Sequence, residues 1–188
     1  MTTCVKVYFL SKNFQVFLKN AYFCRLKQKT PMAAINKTNA ARLLDAAGIA
    51  YELIPYSWTE DDLSAQHVAA QLGEPIEQVF KTLVLRGDRN GEFVCVIPGD
   101  MEVDLKVAAR ISGNKNCEML KMKELLPATG YIRGGCSPIG MKKPFPTFIY
   151  ESALLYPYIY ISAGTRGLQL KIEPQALIDF IGAGIYPL

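Results

Sequence analysis

Lys81 is the side chain best placed by the sequence to do chemistry. It lies in Val79-Phe80-Lys81-Thr82-Leu83-Val84-Leu85, a β-rich run whose period-two alternation puts Phe80, Thr82 and Val84 on one face. Lys81, Leu83 and Leu85 share the other, so an ammonium heads an otherwise apolar face. Such a lysine either snorkels to solvent or offers its charge to a bound anion or ester. Two glycine-containing loops pose a similar choice. Gly134-Gly135-Cys136-Ser137-Pro138-Ile139-Gly140 serves either as a turn that needs positive φ or as a cradle of backbone N–H donors for a phosphate or ester oxygen. Ser162-Ala163-Gly164-Thr165-Arg166-Gly167 sets a hydroxyl and a guanidinium beside its glycines.

Other chemistries lack their parts. The single histidine, His67, lies in an Ala/Val-rich helical pattern and reads as a structural residue, so a triad built on it is disfavoured. The chain has no GxSxG, P-loop or GxGxxG motif. Its five cysteines, Cys4, Cys24, Cys95, Cys117 and Cys136, include no CxxC pair. They read as reduced thiols of a cytoplasmic protein, and no metal or cofactor is expected. Cys136, although in the glycine loop, has no pKa-lowering neighbour in sequence and is expected to be structural.

The elements that must carry these groups follow from periodicity and punctuation. Helices are expected from Thr38 to Gly48, from Ser64 to Gly73, over about 104–111 ahead of Gly113, over about 121–126 closed by Pro127, and from Pro174 to Gly182. Strands are expected at 51–56, 79–85, 92–97, 146–150, 158–162 and 168–172. The Asn90-Gly91 pair should turn the second of these into the third as a hairpin. Hairpins mixed with helical crossovers indicate an α+β or mixed-sheet domain.

The length of 188 residues suits one domain with an appendage, and half of the residues are hydrophobic. No apolar run approaches the ~20 residues that a membrane span needs. The net charge of +4 is unevenly distributed. Residues 1–31 hold six Lys/Arg and no acid, whereas residues 32–188 hold 15 basic against 17 acidic residues and are net −2. The body is therefore no general polyanion binder, and contact with a polyanion must be local, around Lys81, Arg133, Lys142, Lys143 and Arg166. Residues 1–31 read as a basic N-terminal extension. Translation beginning at Met32 or an irregular flap is the favoured account; a transit peptide and a membrane- or RNA-facing arm are the alternatives.

From about Met32 onward the chain resembles the YbaK/EbsC family of aminoacyl-tRNA deacylases, which also occurs as the editing domain of bacterial prolyl-tRNA synthetases. Four ordered segments carry the resemblance: AARLLDAAGIAYE, EQVFKTLVL, GYIRGGCSPIGMKKPFPTFI and YIYISAGTRGLQLKI. The GG-x-SP-x-G-x-KK stretch is most similar to the subgroup that clears Cys-tRNA(Pro). The resemblance implies an α+β fold with a mixed, barrel-like β-sheet flanked by helices over residues 32–188. It implies Lys81 as the catalytic lysine that orients the aminoacyl ester. Tyr56, Thr82, Gly134, Gly135, Ser137, Ser162, Gly164 and Arg166 would bind the substrate. One position departs from the pattern: Gln169 stands where family members commonly carry Asp. The implied reaction is thiol-assisted removal of cysteine from Cys-tRNA(Pro), and from Cys-tRNA(Cys), with prolyl-tRNA synthetase as a partner and neither metal nor cofactor. The alternatives are a deacylase for Ala-tRNA(Pro) or another mischarged tRNA, and a non-catalytic tRNA-binding module.

Overall fold

The computed structural model describes residues 36–186. The basic segment 1–31 and the second methionine at position 32 lie outside the described residues.

Local sequence sets most element boundaries. Helix α1 (Asn39–Ala46) is capped by Thr38, whose Oγ1 accepts the Ala41 N–H at 3.3 Å, and it buries Ala40, Ala41 and Leu44. Strand β1 is Tyr51–Pro55. Helix α2 (Ala65–Leu72) starts at the Ser64 cap and stops at Gly73, where a φ of +68° suits glycine. Strands β2 (Phe80–Gly87) and β3 (Gly91–Pro98) form the expected hairpin, with Lys81 opposite Ile97 and Thr82 opposite Val96. The Asn114 side-chain oxygen accepts both the Arg89 and Asn90 N–H groups, which ties the hairpin turn to a distant loop.

Helix α3 (Leu105–Ile111) begins at Asp104, whose carboxylate accepts the Lys106 and Val107 N–H groups. A short strand β4 (Cys117–Met119) follows, outside every expected strand, because three residues are too few to show a period. Helix α4 was expected to close at Pro127; it runs Met122–Thr129, with the proline inside, and ends at Gly130. In so short a helix the proline forfeits a single intrahelical N–H bond. The last-turn carbonyls find other donors: Lys142 Nζ donates to the Leu126 and Pro127 oxygens, and Thr129 Oγ1 donates to Leu125 O. Strands β5 (Thr147–Tyr150), β6 (Ile159–Ser162) and β7 (Leu168–Ile172), helix α5 (Pro174–Ile181) and strand β8 (Gly184–Tyr186) complete the order.

The strands form two sheets, ordered β1-β7-β6 and β4-β2-β3-β5-β8. The first is antiparallel throughout, with Leu53 opposite Leu170 and Ser162 opposite Gln169. The second is mixed, because β5 runs parallel to both β3 and β8. One isolated parallel bridge, Val79 to Tyr160, joins the sheets. The α+β class with a mixed sheet is thus as expected, but among the described residues the strands make two linked sheets and no closed barrel.

The fully buried side chains include Leu44, Ile139, Ile159, Ile161, Leu170, Ile172 and Leu177, a set drawn from α1, the first sheet, α5 and the glycine loop. A second cluster packs Leu85, Phe93, Cys95 and Ile97 of the hairpin against Ala108 of α3, with Leu83 at its edge. Lys81 therefore extends the face of β2 whose Leu83 and Leu85 are already committed to packing. The consequence is that β2 is anchored along its length while its first residues remain available to a cavity.

Candidate active site

That cavity has a volume of about 630 Å³, within the range of small-molecule sites. Its walls come from five places: the start of α2 (Leu63–Gln66 and Val68), the first half of β2 (Val79–Val84), the segment after β3 (Gly99, Asp100, Glu102), the β4–α4 region (Met119, Leu120, Met122, Leu125), and the loop around Arg133, Gly134 and Cys136. Tyr56, Ser162 and Gln169 complete it. The bridge between Val79 and Tyr160 brings the start of β2 alongside β6, which is how Lys81 and Ser162, far apart in sequence, reach one cavity.

Lys81 is half-buried, and its Nζ donates to Gly99 O at 3.0 Å. Burial pushes its pKa below the ordinary lysine value, a shift opposed by the negative charges of Glu102 and Asp100. An ammonium has three N–H donors, and one is used on the Gly99 carbonyl. The other two are available to oxygens of a bound ligand. Gly99, Asp100 and Glu102 were not singled out in the sequence. The only local sign was a glycine directly after the Pro98 that ends β3.

The two glycine loops interlock. Arg166 Nε donates to Arg133 O at 3.0 Å, and a side chain at Gly135 would sit 3.2 Å from the backbone of Thr165 and Arg166. Gly134 has a φ of +79°, and a Cβ there would press on Leu63 at 3.1 Å. Gly135 therefore serves loop packing, whereas Gly134 faces the cavity. Arg166 Nη1 pairs with Glu60 at 3.1 Å, and its guanidinium lies 5.1 Å from the Trp58 ring centre. Glu60 is 83% exposed, so that ion pair contributes little stability. Tyr131 Oη donates to Ile139 O at 2.6 Å and holds the far end of the loop.

Of the residues proposed from sequence, Lys81, Tyr56, Thr82, Gly134 and Ser162 line the cavity. Gly135, Ser137, Gly164 and Arg166 do not. Ser137 is fully buried, and its Oγ accepts the Ile139 N–H at 3.3 Å, so it stabilises the turn. Gly164 donates its N–H to Ser162 Oγ at 3.3 Å, which orients that hydroxyl from behind. The basic set also divides. Arg133 joins Lys81 at the cavity, whereas Lys142 caps α4 and Lys143 pairs with Glu92 at 3.4 Å over the Phe145 ring.

Three side chains with possible covalent chemistry are occupied or suppressed. His67 Nε2 lies 3.0 Å from Ser57 O, and its Nδ1 faces Asp62 at 3.6 Å. Burial pushes the Cys95 and Cys136 thiols up to about 12. In the folded protein at pH 8, iodoacetamide should therefore leave Cys95 and Cys136 unmodified and alkylate the partly exposed Cys117 before either. Peptide mapping by mass spectrometry reads this directly, and rapid labelling of Cys136 would make it a reactive thiol instead. Among the described residues no three His, Cys, Asp or Glu side chains gather as a metal site.

The arrangement can offer the Lys81 ammonium to an ester or phosphate oxygen in a cavity that Ser162 also lines. Known proteins are similar to this chain in sequence and in fold. Residues 59–180 match the family model of the aminoacyl-tRNA editing domain. The chain is 51% identical over 143 residues to an Enterococcus faecalis protein named as the Cys-tRNA(Pro)/Cys-tRNA(Cys) deacylase EbsC, covering 76% of this chain and 87% of that one. It is 31% identical over 85 residues to the proline–tRNA ligase of Fervidobacterium nodosum, a match covering 45% of this chain and 15% of the ligase. A solved structure described as a trans-editing enzyme for prolyl tRNA synthetase superimposes with a TM-score of 0.70 at 25% identity, covering 80% of this chain and 97% of the other. With its half-buried lysine, interlocked glycine loops and matched segments, the chain belongs to the aminoacyl-tRNA editing domain family.

Proposed function

We propose that this chain is a trans-editing deacylase that removes cysteine from mischarged Cys-tRNA(Pro), and from Cys-tRNA(Cys), in the cytoplasm and alongside prolyl-tRNA synthetase. The observation that carries the reading is Lys81: a half-buried ammonium fixed by one carbonyl in the wall of a cavity of about the size an aminoacylated ribose needs. The half-identical relative named for this reaction supports the substrate. Residues 32–188 are the editing domain in this reading, and residues 1–31 are an extension to it.

In the proposed step the sulfur of the substrate's own cysteine attacks the ester carbonyl carbon. The new S–C bond closes a thiolactone as the C–O bond to the terminal ribose breaks. The thiol proton passes to the departing ribose oxygen, so tRNA leaves with its hydroxyl restored. No enzymic nucleophile is required, which suits a site whose thiol is suppressed and whose histidine is engaged elsewhere. The protein supplies orientation and charge. Holding thiol and ester in contact is worth up to about 7–11 kcal/mol in ideal cases, and a well-aimed donor to the developing oxyanion about 3 kcal/mol. Lys81 is that donor in this reading, with Gly134 and Ser162 shaping the ribose end.

The deciding measurement is ester loss from Cys-tRNA(Pro) incubated with the full chain, compared with Ala-tRNA(Pro) and Ser-tRNA(Pro). Rapid loss from the cysteinyl species and at least tenfold slower loss from the other two is the expected pattern. Equal rates would rule out thiol assistance and make this a general or alanine-directed deacylase. Tight binding of charged tRNA with no ester loss would make it a non-catalytic module.

A further inference from the structure

Trp58 is the chain's single tryptophan, and it is 40% exposed. The fold nonetheless fixes it in place. The Tyr56 N–H donates to Gly167 O at 3.0 Å, and His67 Nε2 lies 3.0 Å from Ser57 O, so the backbone is held just before the indole. Gly167, at a φ of +80°, leaves the indole a seat: a Cβ there would stand 2.7 Å from its Cδ1 and 3.0 Å from its Nε1. Arg166 flanks the ring and is itself tied to Arg133 O and Glu60. Trp58 does not line the cavity. It follows Tyr56 by two residues and adjoins Arg133 through Arg166, and both Tyr56 and Arg133 belong to the cavity wall.

We propose that Trp58, backed by Arg166, is the platform on which the base of the 3′-terminal nucleotide stacks when its aminoacylated ribose is in the cavity. This rests on the deacylase reading above and adds to it the contact that recognises the nucleotide. A base is joined directly to that ribose, so a ribose inside the cavity leaves its base among the residues beside the wall. Single-stranded RNA ends are recognised by stacking unpaired bases on aromatic rings and guanidinium planes, and Trp58 with Arg166 offers one of each. The guanidinium beside the indole also holds the ring through a cation–π contact, so little side-chain freedom is lost when a base arrives. The charges of the loop favour a base over a phosphate. Glu60, Asp61 and Asp62 follow Trp58 closely, and Glu60 already occupies Arg166. A phosphate would meet three carboxylates there, whereas a neutral base meets an exposed indole. Stacking accepts any base, so the platform supplies affinity for the nucleotide without reading its sequence.

The test compares two non-hydrolysable ligands titrated into the full chain: 3′-cysteinylamino-3′-deoxyadenosine, and the same sugar with a methoxy group in place of adenine. The wild type should bind the adenosine compound about tenfold more tightly, the scale of one base–aromatic stack. Because Trp58 is the only tryptophan, its emission reports the contact directly: the adenosine compound should quench it and the methyl riboside should not. Trp58→Leu, which keeps apolar cover over Gly167, should cut the preference to about twofold or less, and Trp58→Phe should retain most of it. Equal wild-type affinities for the two ligands would overturn the proposal. So would binding of the adenosine compound without quenching, or an undiminished preference in Trp58→Leu. A tryptophan that merely packs the loop gives that last result together with a lower thermal midpoint. In each of those cases the deacylase reading stands; binding of neither ligand would bring down both.

Discussion

Lys81→Ala is expected to reduce single-turnover deacylation of Cys-tRNA(Pro) by about 100-fold or more while leaving the fold intact. Loss of one well-placed donor to a developing oxyanion costs roughly 10²–10³ in rate. The side chain is only half-buried and makes one hydrogen bond, to Gly99 O, so its removal opens no closed cavity in either cluster of packed residues. Its charge state provides an independent handle. Burial lowers its pKa, so the ammonium is lost at a lower pH than an exposed lysine would lose its own. A rate that needs the ammonium must therefore begin to fall on the alkaline side below the ordinary lysine value of 10.5. Lys81→Arg, which remains charged throughout, should remove that fall even where it lowers the plateau. An unchanged rate in Lys81→Ala would remove this residue from the mechanism.

The second large effect is expected at Gly99. A Cβ there would stand 2.5 Å from the Ala65 Cβ, 2.8 Å from Ile76 Cδ1 and 2.9 Å from the Val79 carbonyl oxygen. Ile76 Cδ1 can swing aside, but the other two do not yield easily, because Ala65 opens α2 and Val79 O belongs to the backbone that meets Tyr160. Gly99→Ala should destabilise the protein by about 1–3 kcal/mol through overpacking. For a chain of this size that is a fall of roughly 2–12 °C in Tm. Because Gly99 O is the acceptor for Lys81, the same shift should lower deacylation by about tenfold at temperatures where the variant is fully folded. Adding Ala65→Gly removes the nearest contact and should restore part of the stability; restoring none would mean the strain lies with Val79 O. Thermal unfolding and single-turnover rates on the same preparations separate the two effects.

Elements with strong local signals were legible in the chain. The helix starts at Thr38 and Ser64, the Gly73 and Gly182 stops and the Asn90-Gly91 turn each act through neighbours a few residues away, so sequence alone located them. Where a long-range partner intervened, local reasoning failed. Pro127 reads as a helix stop, but Lys142 reaches across to the last-turn carbonyls and the helix continues to Thr129. Strands β4 and β8 are three residues each and owe their existence to the sheet that receives them.

The site shows the same division. Lys81, the glycine loop and the Ser162 segment could be singled out from residue type and resemblance, and so could the basic extension that accounts for the +4 charge. Sequence could not distinguish Gly134, which faces the cavity, from Gly135, which packs one loop on another, since the two are chemically identical until tertiary contacts differ. Nor could it show that Ser137 is spent on its own turn, that Gly99 anchors Lys81, or that Gln169 is buried with an unmet acceptor. Composition and spacing decide which groups a chain can offer. Whether an offered group meets a partner, and which donors and acceptors are left over for a substrate, is decided by contacts between residues far apart in the chain, and those exist only once the two sheets have met at Val79 and Tyr160.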